Sequence, residues 1–131
     1  MNKSGNFVIR VYGLIINQKN EILLSDEFQM GMKMTKFPGG GLEFGEGIID
    51  CLRREFYEEC SGQKIKNLRH FYTCDFYQKA FFYENHQLIS IYYLAELQTP
   101  VQFKISDKHF DFENMKNGNQ SFRWANLDDL N

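Results

Sequence analysis

The stretch from Gly39 to Gly62, GGGLEFGEGIIDCLRREFYEECSG, limits the folds open to this chain more than any other. A glycine-rich turn passes into a short extended segment over Leu42 to Glu46. A helical pattern then begins near Gly47 and ends in a knot of acids. At about 100° per residue, Ile49, Leu52, Phe56 and Cys60 gather on one side of that helix. Glu55, Glu58 and Glu59 gather on the neighbouring side, because residues three and four apart are surface neighbours. Left alone, this arrangement opposes the helix. Like charges at these spacings cost roughly 0.2–0.5 kcal/mol per pair. Carboxylates in a last turn also meet the negative end of the helix dipole, at ~0.3–1 kcal/mol each. A hard divalent cation reverses the sign, since Mg2+ takes clustered carboxylate oxygens. The acids therefore read as a metal site, against the blander alternative of a solvated charged face.

The spacing around them is specific. Gly40 is followed after five residues by Glu46, and after seven more by Arg54-Glu55-Phe56-Tyr57-Glu58-Glu59. This pattern resembles the box of the Nudix hydrolases, G-x5-E-x7-R-E-U-x-E-E-x-G-U with U a bulky apolar residue. Many fixed residues at fixed spacing make it a stronger signal than a short motif. The box departs at its end, where its last glycine falls on Ser61 and the following apolar position on Gly62. Glycine just past a helix supplies the left-handed residue that caps the last carbonyls. The expectation is therefore that Gly62 caps the helix one residue late, with Ser61 still in the helix or at its end.

The resemblance implies an α/β fold, an α/β/α sandwich with a central mixed sheet and the box helix on one face. It implies Mg2+ or Mn2+ as cofactor. Spacing makes Glu55 and Glu59 the leading ligands, with Glu58 next; the Gly40 carbonyl is a further ligand that the family implies. Arg54 has Asp50 and Glu58 four residues away on either side, so ion pairing along the helix is its plain explanation. Its family counterpart orients the carboxylates, and Glu46 supports it. The family also discusses the glutamate matching Glu55 as the base, or a loop acid in its place. Asp107, Asp111 and Glu113 are the loop candidates here, and the sequence does not choose among them.

Composition narrows the partners. The 131 residues suffice for one domain, 1–131, with one core. A formal charge of -2 with mixed signs argues against an extended nucleic-acid surface. Three sparse cysteines, Cys51, Cys60 and Cys74, form no close metal or redox pair and suit a reducing compartment. No apolar run reaches ~18 residues. The start carries Lys3 and Arg10 without a small-residue cleavage site, so it is not read as a signal peptide. A cytoplasmic protein is expected, with a homodimer left open.

Along the chain, Phe7–Ile16 and Glu21–Leu24 read as strands of a hairpin, turning at Asn17–Asn20. Ser25 to Thr35 shows no clear period and reads as loop with room for short extended pieces. Phe37-Pro38-Gly39-Gly40-Gly41 fits neither the P-loop nor the dinucleotide pattern. Leu68–Tyr83 and Gln87–Leu97 read as two long strands joined at Glu84-Asn85-His86. Alternation along them places most of Phe71, Tyr72, Phe76, Tyr77, Phe81 and Phe82 in the core, with a base-stacking platform as the functional alternative. Thr99–Gln120 is irregular, Ser121–Ala125 a last strand, and Asn126 the N-cap of a terminal helix over 127–130.

Two functions from different classes follow. One is a metal-dependent pyrophosphohydrolase acting on a small nucleoside diphosphate linked to a second group. The other is a catalytically silent ligand-sensing or partner-binding module; binding-only relatives often lose box acids, and this chain keeps all four glutamates and Arg54. Substrate branches of the family are not matched. No proline lies between Pro38 and Pro100, where the ADP-ribose branch carries one.

Overall fold

In the computed structural model, which describes residues 5–130, the aromatic and β-branched run near the start forms strand β1 (Asn6–Ile15). The expectations concerning Lys3 and the outermost ends of the 1–131 domain fall outside the described residues. Six more strands follow: β2 (Glu21–Gln29), β3 (Met32–Lys36), β4 (Gly39–Gly41), β5 (Ile65–Thr73), β6 (His86–Leu97) and β7 (Asn119–Asn126). Helix α1 (Ile48–Glu59) lies between β4 and β5. The strands form a mixed four-stranded sheet, β4-β1-β6-β5, and an antiparallel three-stranded sheet, β3-β2-β7. β1 and β6 run parallel over ten register pairs, whereas β4 and β5 are antiparallel to their neighbours.

Alternation along β1 separates two faces. Val11 and Ile15 join Leu52, Phe56, Leu23 and Phe122 in the main core beneath α1. Leu14, on the opposite face, packs with Ile22 and Leu24, and Leu127 closes on that cluster. Gly13 lets the helix approach β1 closely, since a Cβ there would lie 2.8 Å from Phe56 Cε2. The α/β architecture is the expected one. Among the described residues the layer opposite α1 is a single 3-10 turn, Leu127–Asp129. Asn126 caps it as expected, its side chain accepting from the Asp128 N–H at 2.8 Å.

Several expectations are corrected. The turn after β1 closes, with Asn17 N–H on the Glu21 carbonyl at 2.9 Å, but β1 and β2 then part into different sheets. Both sides of β1 are already taken by β4 and β6, so β2 pairs instead with β3 and β7. Residues 25–35 are no loop. β2 continues to Gln29 and turns at Met30-Gly31, both at positive φ (51° and 75°), the geometry of a tight hairpin turn. A methionine in the first left-handed position hides that signal. Residues 42–46 turn rather than extend, Glu46 N–H reaching the Glu43 carbonyl at 3.3 Å.

β5 stops at Thr73, and residues 74–85 form a loop held by the Lys79–Gln87 bridge. All six aromatics expected mainly in the core stand exposed, from 38% for Phe82 to 75% for Phe81. β5 is an edge strand with a largely solvated surface, so alternation there buries little. On α1, Ile49 is 40% exposed, while Cys51, Leu52, Phe56 and Cys60 are buried and Ile48 packs on the core. The buried stripe therefore starts one residue earlier than its apolar pattern implies.

Helix α1 ends where an unshifted box would end it. Cys60 is the last half-helical residue, and Ser61 takes the left-handed conformation at φ 55°. Gly62 follows at φ 83° and its N–H reaches back to the Tyr57 carbonyl at 2.9 Å. That six-to-one bond is the Schellman closure. Gly62 is left-handed as expected, but Ser61 and not Gly62 stands in the first cap position.

Candidate active site

The site is assembled where β4 meets α1. β4 consists of three glycines paired to Arg10, Val11 and Tyr12 of β1. Gly39 is at φ 151°, and a Cβ there would overlap the Val11 carbonyl. Gly40 has a different neighbour: a Cβ would fall on the Glu55 carboxylate. The strand thus brings bare backbone against the acid that α1 presents to it. Cys51 fills the space alongside, its thiol 3.5 Å from the Gly41 carbonyl, and burial lifts that thiol to about 12. It is structural and inert, and Cys60 is buried likewise.

Arg54 organises the acids. Its Nε and Nη2 donate to both oxygens of Glu46 at 3.0 and 2.8 Å, a bidentate pair. Nη2 also donates to the Gly41 carbonyl at 3.0 Å, while Nη1 reaches Glu55 at 3.1 Å and Glu58 at 3.2 Å. Hydrogen bonds from Arg54 and the Glu43 N–H hold the Glu46 carboxyl down at about 2. Asp50 does not pair with Arg54; it turns back to the Gly47 N–H at 3.3 Å and caps the start of α1. Glu58 thus pairs with Arg54 as helical spacing implies, and Glu55 shares the same guanidinium.

Glu59 points elsewhere. Burial raises its carboxyl to about 7, opposed by Lys36 and reinforced by Glu55 and Glu27. It lines a cleft of about 550 Å3, together with Arg10, Glu27, Lys36 and the aromatics Phe81, Phe82 and Tyr83. Glu27 is 4% exposed on β2, where Lys36 Nζ lies 3.3 Å away and Ser25 Oγ and Gln120 Nε2 donate to it at 2.9 and 3.1 Å. Sequence reasoning missed Glu27 because β2 was ended at Leu24. Had the Met30-Gly31 turn been read as a hairpin, Ser25 and Glu27 would have fallen on the inward face with Leu23. Among the described residues, no group of three acids or histidines is placed to hold a metal ion.

The loop acids sit apart from this cleft. Asp111 is bound to Ser106 Oγ at 2.6 Å and Lys104 Nζ at 3.1 Å, hydrogen bonds that lower its carboxyl below the ordinary range. Asp107 and Glu113 are exposed.

A family model for the NUDIX domain matches residues 6–131. The chain belongs to the Nudix family. It is a Nudix-type hydrolase, a class acting on pyrophosphate bonds. A solved structure from work on MutT of Aliivibrio salmonicida and Vibrio cholerae superposes with a TM-score of 0.61 at 23% identity, covering 95% of this chain and 84% of that one. A Nudix hydrolase from Nitrosomonas europaea gives 0.59 at 21% identity, covering 97% and 76%. A UDP-X diphosphatase gives 0.60 at 21%, covering 92% of this chain but only 52% of that one. Among curated protein sequences no match is found. These structural likenesses carry the fold. Among the described residues no helix is long and apolar enough to cross a membrane.

Within the Nudix frame, the fit of a divalent ion is testable on this chain's own residues. Gly40 has no side chain, so the Glu55 carboxylate packs directly against its backbone, and Glu55 and Glu59 lie one turn apart on α1. The donors are carboxylate and carbonyl oxygens, the set that Mg2+ and Mn2+ prefer. The residues fit the ion in donor chemistry, but among the described residues Glu55, Glu58 and Glu59 are not gathered around one point.

Proposed function

We propose that the protein is a metal-dependent pyrophosphohydrolase that cleaves the diphosphate linkage of a nucleoside diphosphate joined to a second group. The observation that carries this reading is the delivery of Glu59, by the helix whose other acids Arg54 holds, into a cleft with cationic and aromatic walls. Glu55 and Glu59 would hold Mg2+ or Mn2+, with Glu58 and the Gly40 carbonyl completing the donor set. A bound divalent ion supplies charge neutralisation and an activated water at neutral pH. Arg54 positions Glu55 and Glu58, and Glu46 fixes Arg54. Exposed Phe81, Phe82 and Tyr83 at the cleft suit a flat ring, which favours a base-bearing substrate. A cytoplasmic location and the absence of an extended nucleic-acid partner fit a small-molecule substrate of this kind.

The test is a panel of canonical and oxidised nucleoside triphosphates, nucleotide sugars, ADP-ribose and dinucleoside polyphosphates. Each is assayed with Mg2+ and Mn2+ by coupled phosphate release, inorganic pyrophosphatase converting the pyrophosphate from triphosphates and a phosphomonoesterase the products of the others. Turnover of at least one, abolished by chelation, is expected. Full turnover of the preferred substrate in excess chelator would sink the metal-dependent reading, and no turnover of any would favour the silent binding module.

A further inference from the structure

We propose that Arg10 is the residue of the cleft that takes a phosphate group of the substrate. The inference rests on the hydrolase reading and adds a binding residue outside the box. Two cations line the cleft among the described residues, Arg10 and Lys36. Lys36 is committed to Glu27 at 3.3 Å. Arg54 and Arg123 are likewise committed to carboxylates elsewhere. Arg10 makes no ion pair with any described residue; its one side-chain hydrogen bond runs from Nε to the Tyr12 hydroxyl at 2.7 Å. That bond, with the guanidinium carbon 5.6 Å from the Tyr12 ring centroid, fixes the plane of the fork. Tyr12 is itself held, stacking on Tyr92 at 5.4 Å, and Tyr92 lies 6.2 Å from Tyr72.

Both terminal nitrogens of Arg10 are thus left without a protein partner among the described residues. They are not sealed in the interior, since no buried polar side-chain atom lacks a hydrogen bond there. A partly buried guanidinium, anchored at Nε with a free Nη pair, presents the two parallel donors that a phosphate accepts. Because Arg10 and Glu59 line the same cleft, they also give the division of labour that a doubly charged linkage needs. One group of oxygens is met by the acids and what they hold, and another by a fixed cation.

Binding of methylenediphosphonate, a diphosphate whose bridging carbon resists hydrolysis, tests this by titration calorimetry on the full chain with and without Mg2+. The wild type is expected to bind. Arg10→Gln should bind about ten- to a hundredfold more weakly, the loss expected of charge-assisted hydrogen bonds. Arg10→Lys should fall between, keeping the charge without the paired donors. Thermal melts check the fold of each variant; where the glutamine variant fails to fold, the lysine variant carries the comparison. Equal affinity in wild type and folded variants, or no binding by the wild type, overturns the proposal. Failure of the wild type on every substrate of the panel, with Arg10-dependent binding intact, overturns the hydrolase reading alone.

Discussion

Glu59 carries opposite meanings with and without a cation. Its folded value of about 7 lies above the ordinary 4.5, because burial outweighs the help of Lys36. The folded state therefore binds the proton more tightly than the unfolded chain. Stability from this group is fully present below about 4.5 and is lost as the pH rises through about 7. In metal-free protein, Glu59→Gln should remove that slope and raise the melting temperature above pH 7. On the hydrolase reading the same change should lower kcat at least ~10²-fold, the lower range for a positioned catalytic group. Melts from pH 4 to 9 in chelator, beside kinetics in Mg2+, check both; an unchanged slope would remove Glu59 from the buried wall of the cleft. At this scale the parting of Glu59 from Glu55 and Glu58 was hidden, whereas the pairing of Arg54 with Glu58 was legible from helical spacing alone. Glu27 was not, since its place beside Glu59 depends on a strand pairing that no local pattern announces.

At the scale of elements, the end of α1 is the sharpest lesson. Sequence placed a glycine one residue beyond the box position and so implied a late cap; the backbone keeps its normal end and bends Ser61 to φ 55°. A left-handed non-glycine costs roughly 1–2 kcal/mol, and glycine adds back ~0.4–1 kcal/mol of unfolded-state entropy. Ser61→Gly should therefore stabilise by roughly 0.5–1 kcal/mol. Gly62→Ala should destabilise by at least ~1 kcal/mol from backbone strain, the nearest side chain, Tyr57, being a comfortable 3.8 Å away. Urea melts of both read the difference, and a neutral Ser61→Gly would show the cap strain to be absorbed elsewhere. Gly13→Ala acts between elements, driving a methyl to 2.8 Å from Phe56. A loss of about 1–3 kcal/mol is expected from overpacking β1 against α1. The helix and β1 were legible from periodicity and composition. The split of β1 and β2 into two sheets was not, because partner choice is decided by residues far along the chain.

For the whole molecule, the tie between the second sheet and the long loop before β7 is a buried charge. Asp26 is fully buried and receives Arg123 Nε at 2.7 Å, Thr35 Oγ1 at 2.7 Å and the Phe110 N–H at 3.0 Å. Burial alone would raise its carboxyl, but Arg123 and the other donors outweigh it and lower it below 3.8. Its contribution is thus present above the unfolded value and lost as the pH falls. Asp26 thus favours the fold above its unfolded value and Glu59 below its own, so the contributions of these two groups overlap in mildly acidic solution. Asp26→Asn strips Arg123 of its partner and should cost about 3–5 kcal/mol, the range for breaking a buried pair. A chemical melt measures it; a loss under ~1 kcal/mol would mean that the pair behaves as a surface one.

The contrast between Gly40 and the 81–83 loop has a consequence for how this chain can change over generations. At Gly40 any side chain would land on the Glu55 carboxylate, so a substitution there is felt first as a displacement of Glu55. Phe81 and Tyr83 are 75% and 53% exposed, so exchanging them disturbs little of the interior. On the proposed reading, the group that holds the metal and the aromatics that meet the base are thus open to separate change. A duplicated copy has a short route to a new substrate, through a handful of exposed aromatic codons.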